Sequence, residues 1–462
     1  MLQLNDLVDA GNTVVMVGRS RVRADTKGSE GKDCQASDPR AFAGRNEARP
    51  TMPISSTSAP PVRRQSIPRT VWVLGFVSLL MDVSSEIVQA LLPFYLVGTL
   101  GASAVVVGFV EGISVFVATT TKLFSGVITD WTGHRKPMVI LGYGLGATSK
   151  LIFPLATSVG WIVGAKAIDR VGKGIRGTPR DALIADVSPP EIRGASFGLR
   201  KSLDTLGGFL GPLVAIGLLF LFSGNVQAVF WVAVVPALLA IALLVIGIEE
   251  PVHASQVKKE GPPRAADAVR LGRGVWLTIF VACLLTAARF SEAFLLLKSQ
   301  EAGFSLTWVP ITLVIMHAVY GLAAYPVGRL SDAIGRMGLL GTSLVFLVAA
   351  YMVLAHASSI PAFAVGIVLW GLHMGFSQGL LATLIADSAP APLRGTAFGV
   401  FNLMTGVTVL TGNVAAGLMW DAYGSYGTFI AGALLSAVGA FAFGLIAVRR
   451  AWQASASGAK LT

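Results

Sequence analysis

Asp169, Arg170, Lys173, Arg176, Arg180 and Asp181 sit together in the stretch DRVGKGIRGTPRD, inside a run that is otherwise apolar enough to cross a membrane. Set on a helix at about 100° per residue, the six fall within roughly 140° of arc. Ile168, Val171, Ile175 and Ala182 take the other side. A charge at the bilayer centre costs about 2.5–3.5 kcal/mol on insertion scales. Four basic groups facing lipid would cost on the order of 10 kcal/mol, comparable with the roughly 5–15 kcal/mol that stabilises a whole domain. This face is therefore expected to look into protein or a water-filled path. It either glues helices together through ion pairs or lines a route for a polar solute, and the basic excess favours the route.

Carboxylates in other apolar runs supply the complementary chemistry. Asp82 and Glu86 are spaced i and i+4, and Gln89 and Pro93 continue their stripe. Glu292 lies at similar depth in a later run. Buried carboxyl groups can hold and release a proton, so Asp82, Glu86 and Glu292 are candidates for proton coupling. A permanent pair between Glu86 and a basic residue of 169–181 is the alternative. Asp204, close in sequence to Arg200 and Lys201, reads as structural, and Arg289 can neutralise Glu292. Glu111 and Lys122 are eleven residues apart, three helical turns, and no role is assigned to them. Trp308, His317, Tyr320, Tyr325, Trp370 and His373 either line a cavity or pack. The five histidines form no metal-spaced cluster, so no metal site is expected. Cys34 and Cys283 suggest no disulfide. No nucleophile–base set gathers at one place, which argues against an enzyme.

The elements that must position these residues follow from composition. The chain has 462 residues, 53% hydrophobic and only 13% charged, with mean hydropathy +0.69. Soluble domains carry about 25% charged residues. This is the pattern of an all-α polytopic membrane protein. Apolar runs place spans near 70–97, 104–128, 137–157, 160–187, 193–222 and 227–248, then near 275–299, 306–330, 337–356, 360–387, 393–420 and 426–448. The expected division is a tail over 1–67, a six-helix bundle over 68–248, a polar connector over 249–274, a second bundle over 275–450 and a short tail over 451–462. The first tail, low in apolar content, is expected to be disordered. Its opening LNDLVDAGNTVVMVGR resembles a fragment of an excinuclease-type ABC ATPase domain, so Met52 is an alternative start.

Charge gives the orientation. The net charge is +11, but it sorts by side rather than forming a nucleic-acid face, so no nucleic acid is expected as partner. Arg135, Lys136, Arg193, Lys258, Lys259, Arg336 and Arg394 fall after even-numbered spans, and Arg63, Arg64, Arg449 and Arg450 lie in the tails. Connectors after odd-numbered spans are almost without Lys and Arg. Both termini are therefore expected in the cytosol, with the protein in the plasma (inner) membrane.

The two halves repeat. LIADVSPPEIRGASFG (183–198) matches LIADSAPAPLRGTAFG (384–399), and GVITDWTGHRK (126–136) matches GRLSDAIGRMG (328–338). Ser85-Glu86 and Ser291-Glu292 correspond in the first span of each half. Such repeats mark transporters that bind substrate between two pseudo-symmetric bundles and rock one against the other.

Over about 70–450 the chain resembles the major facilitator superfamily. The residues that carry this are Gly126, Asp130, Gly133, Arg135 and Lys136, echoed by Gly328, Asp332, Gly335 and Arg336. The resemblance implies a gating clasp at those positions. Arg170-Val171-Gly172-Lys173-Gly174 resembles a second family motif, with Lys173 where Gln is common, and implies that Arg170 takes part in proton coupling. Gly207, Gly211 and Pro212 resemble a motif of antiporters among drug exporters, with a routine membrane kink as the alternative. MDVSSEIVQALLPFYL and the Asp169–Asp181 stretch resemble a bacterial subgroup linked to drug or metal resistance, though ASASGAKLT lacks a His-rich tail. The reading that results is a proton-coupled exporter of a small solute, working by rocker-switch alternating access. The solute route is expected along Asp169, Lys173, Arg176, Arg180 and Asp181. An importer or uniporter of an organic anion is the alternative, and a membrane enzyme or receptor is remote. No cofactor is expected beyond the proton gradient, and the expected state is a monomer in lipid.

Overall fold

The structure is a computed structural model that describes residues 66–132, 135–190, 192–248, 268–334, 336–377, 385, 388–390 and 393–458. Side-chain surroundings at 126–132, 325, 328, 329, 331–334, 336, 337 and 446–458 lie outside that description. So do residues 1–65 of the expected tail over 1–67 and most of the connector.

Every assigned element among the described residues is helical. The first half contributes α1 (Arg69–Phe94), α2 (Ala104–Thr132), α3 (Arg135–Ile152), α4 (Val159–Val187), α5 (Arg193–Leu221) and α6 (Val226–Gly247). The second contributes α7 (Arg273–Ala287), α8 (Glu292–Glu301), α9 (Ile311–Ile334), α10 (Arg336–His356), α11 (Ile360–Ser377) and α12 (Arg394–Gly458). Ten helical stretches among the described residues are long and apolar enough to cross a membrane. Helix α4 is not among them, because its charges lower its hydropathy, yet at 29 residues it has the length. One of the ten, Arg394–Leu445, is 52 residues long. It is broken where Gly424 takes φ 68°, a left-handed value that a side chain would strain. The expected spans 393–420 and 426–448 are the two sides of that break, and helix runs past the expected end at 450.

The seventh expected span, 275–299, is two helices rather than one. Between α7 and α8 the backbone leaves the helix, and side chains take up the freed groups. The Tyr351 hydroxyl donates to the Ala288 carbonyl at 2.7 Å and accepts from the Phe290 amide at 3.0 Å. The Ser291 amide donates to Asn413 Oδ1 at 2.7 Å, and the Ser291 hydroxyl caps α8 by accepting from the Ala293 amide. A break at membrane depth survives only where its polar groups are satisfied in this way. Sequence periodicity could not show it, because the partners come from distant helices.

In the first half α1 packs on α5 and α6, α3 on α4 and α6, and α2 on α4; in the second, α10 packs on α11 and α12, α9 on α11, and α7 on α12. The halves meet through α2 against α12 and α5 against α9. At the end where α1 finishes, one apolar cluster joins both halves, with Leu91, Phe94, Val107 and Phe230 packed with Phe294, Leu296, Trp370 and Phe429. At the end where α1 begins there are two clusters. One is built on Leu74, Met81, Tyr143 and Leu244 of the first half, the other on Val275, Leu344, Phe401 and Phe443 of the second together with Val115 of α2.

Candidate functional site

The charged face of α4 is turned into the first half. Asp169, Arg170, Arg176 and Arg180 are all buried. Neighbouring helices come close enough to cover them because their contact faces are small. A Cβ built on Gly142 of α3 would stand 2.6 Å from the Arg176 Cβ, so a larger residue there would push α3 off α4.

Four ion pairs account for part of the charge. Lys150 of α3 donates to Asp169 at 2.8 Å, and Ser149 adds a hydrogen bond at 3.4 Å. Arg170 approaches the other oxygen of Asp169 at 3.4 Å. One turn earlier on α4, Lys166 pairs with Glu111 of α2 at 3.3 Å and donates to Gln89 Oε1 of α1. Gln89 in turn donates to Glu111 at 3.1 Å. Glu111 also accepts from the Ser291 hydroxyl at 3.2 Å, so this network reaches the α7–α8 break in the other half. At the far end of the face, Arg180 pairs with Asp181 at 3.1 Å and donates to Ser78 of α1 at 3.2 Å.

Between these lie Lys173 and Arg176. Neither pairs with a carboxylate among the described residues. The Arg176 guanidinium covers the Tyr143 ring with 4.5 Å to the centroid, and its Nη1 has no hydrogen-bond partner.

The carboxylates of α1 face α5. Asp82 neighbours Asp204, with Lys173 and Arg176 as its neighbouring positive charges. Asp204 is 3.8 Å from Arg200 and 3.5 Å from Lys201, as its spacing implied. Glu86 is buried against Gly211 and makes no ion pair among the described residues, so no permanent pair with α4 is present there. Glu86 and Glu292 are both acidic neighbours of His317 on α9, and Glu292 neighbours Arg289. The pseudo-symmetric carboxylates are thus brought toward one histidine between the halves.

Gly207 and Gly211 make the approach of α1 possible. A Cβ on Gly207 would stand 2.6 Å from the Leu79 carbonyl oxygen and 3.1 Å from the Asp82 Cβ. Pro212 is buried inside α5. Of the expected gating residues, Arg135 forms an ion pair with Asp186 and donates to the Ala182 carbonyl at 2.8 Å. Lys136 donates to the Ile248 carbonyl at 2.5 Å. Both tie the start of α3 to the ends of α4 and α6. Gly133 and Gly335 lie outside the described residues, as do the side-chain surroundings of Gly126, Asp130, Gly328, Asp332 and Arg336.

Sequence reading missed Lys150 and Lys166 and left Glu111 without a role. The available signal was a lone charge inside an apolar run, which on burial demands a partner. No group of His, Cys, Asp and Glu that could hold a metal occurs among the described residues.

A family model described as Major Facilitator Superfamily matches residues 74–409 and 299–460. The uncharacterized MFS-type transporter MJ1317 of Methanocaldococcus jannaschii is 29% identical over 394 residues, covering 80% of this chain and 95% of that protein. The multidrug resistance protein MdtH of Photorhabdus laumondii is 34% identical over 149 residues, covering 32% of this chain and 37% of that protein. Among solved structures, the nucleoside transporter NupG superposes with TM-score 0.68 at 17% identity, over 81% of this chain and 98% of that one.

Proposed function

Because this chain belongs to the major facilitator superfamily of membrane transporters, we propose that it is a proton-coupled exporter of a small solute, exchanging solute for protons. The observation that carries this reading is the pairing of α1 with α5. Asp82 and Glu86 are buried without an ion pair among the described residues, and they lie against Gly207 and Gly211. Asp82 and Asp204 are neighbouring buried carboxyl groups, and two like charges in one buried site are costly, so the pair is suited to hold a proton between them. Loss of that proton leaves two like charges in a buried site, which favours rearrangement around Lys173, Arg176 and Arg200.

Alternating access then follows from the cores. In this structure the large apolar cluster shared by both halves closes the end where α1 finishes, while the apolar packing at the other end is divided between two smaller clusters. Rocking exchanges which end is joined. The basic residues at the α1-start end support a cytosolic placement of both termini in the plasma membrane. Export is supported by the Gly207, Gly211 and Pro212 packing and by the partial similarity to a multidrug resistance protein.

The test is a pH-sensitive dye inside liposomes bearing the purified protein, with anions, metal chelates and cationic drugs added against an imposed pH gradient. Proton movement dependent on one solute class is expected, with loss in Glu86→Gln and Arg170→Ala. Wild-type rates in both well-expressed variants would sink the coupling scheme.

A further inference from the structure

We propose that Lys173 and Arg176 of α4 bind an anionic group, a carboxylate, phosphate or sulfonate, carried by the transported solute. This rests on the transporter reading and names the charge of its cargo; it holds for either direction of transport.

The argument is one of charge and geometry. A buried charge without a partner is costly, so interior cations pair wherever a carboxylate is available. The carboxylates of α4 itself, Glu111 of α2 and Asp204 of α5 are taken. Asp169 serves Lys150 and Arg170, Glu111 serves Lys166, and Asp181 serves Arg180. Asp204 serves Arg200 and Lys201 on its own helix and is in contact with Asp82. Lys173 and Arg176 are left over, three residues apart on one helix. Two like charges at that spacing repel. Asp82 is their neighbouring negative charge, but neither cation forms an ion pair with it.

Arg176 is also pre-oriented. Its side chain lies in the gap left by Gly142 and Gly146, with Nη1 3.0 Å from where a Gly146 Cβ would stand. The Tyr143 ring covers one guanidinium face. That ring is held by a 3.1 Å hydrogen bond between its hydroxyl and Ser78. Arg176 as a whole is 4% exposed, and its Nη1 has no partner. A planar fork held by an aromatic ring, with an ammonium one turn away, matches the planar or tetrahedral oxygens of an organic anion. A cationic solute would meet uncompensated repulsion at the same place.

The test uses the full chain in lipid nanodiscs, incubated with a small-molecule extract of bacterial cells and examined by native mass spectrometry. A small organic anion should be retained by the wild type, with at least tenfold weaker retention in Lys173→Gln and Arg176→Gln. Arg176→Lys, which keeps the charge and loses the fork, should also weaken retention. Thermal unfolding verifies folding, and Lys173→Gln carries the test if the Arg176 variants do not fold. Retention of only neutral or cationic solutes, of only an anionic lipid, of nothing, or equal retention in Lys173→Gln overturns the proposal. Proton-coupled movement of a cationic drug in liposomes would remove the anion site and leave the transporter standing. Absence of any solute movement there would remove the transporter reading itself.

Discussion

Gly211 of α5 lies directly against Glu86 of α1: a Cβ built on Gly211 would stand 2.5 Å from the Glu86 Cβ. The same Cβ would come 3.0 Å from the Val83 carbonyl oxygen. A motif that reads in sequence as a possible helix kink is thus the surface that holds a buried carboxylate in place. Gly207 does the same for Asp82 one turn away.

Substitution should separate these contacts from simple helix propensity. Gly211→Ala inserts a methyl group where backbone and Cβ atoms already meet, and overpacking of this kind costs about 1–3 kcal/mol. The melting temperature of the purified protein should fall and proton-coupled transport should drop. Gly164→Ala on α4, where nothing stands within 4 Å of the added Cβ, should leave both unchanged. Equal effects at the two sites would show that α1–α5 packing is not the sensitive element.

The Lys166–Glu111 pair should behave as a buried ion pair. Glu111 is 1% exposed and Lys166 2%. Removing the ammonium in Lys166→Met leaves the carboxylate among Gln89 and Ser291 without its counter-charge, a loss of about 3–5 kcal/mol. Glu111→Gln combined with Lys166→Met should recover part of it. Unfolding measured across the four proteins gives the coupling, and additive losses would contradict the pairing.

Asp421 of α12 accepts hydrogen bonds from the Ala104 and Val105 amides at 2.8 and 3.0 Å, and so caps α2 from the opposite half. Losing a cap costs about 1 kcal/mol. Asp421→Ala should shift the balance between states by about fivefold toward opening at this end. Spin labels replacing Phe220 and Trp308, whose rings lie 5.5 Å apart across the same end, would report it as a growing long-distance population. An unchanged distribution would mean the cap does not hold the halves together.

Asp82→Asn keeps a hydrogen-bonding side chain beside Asp204 and removes one titrating group. If the pair carries the coupled proton, the variant should exchange solute across liposomes while failing to acidify them. A proton signal equal to wild type would move the coupling site to Glu86 and Glu292.

The sequence by itself determined the class of protein, because twenty-residue apolar runs and a low charge content have few other solutions. It also determined the repeat and the inward orientation of the α4 charges, since periodicity and desolvation cost act within one helix. Only the tertiary structure decided which charge meets which. Lys150 finds Asp169, and Lys166 finds Glu111, across helix interfaces that no spacing along one chain segment encodes. The break between α7 and α8 belongs to the same category. Ala288 to Ser291 carries no Gly or Pro to announce it, and it exists because Tyr351 and Asn413 arrive from other helices to take up its backbone groups. Lys173 and Arg176 read in sequence as two more members of a basic stripe. They became distinct only when packing assigned Asp169, Glu111, Asp181 and Asp204 to other cations. Partner choice in a low-dielectric interior is set by three-dimensional proximity, and that is a property of the packed bundle rather than of any one of its helices.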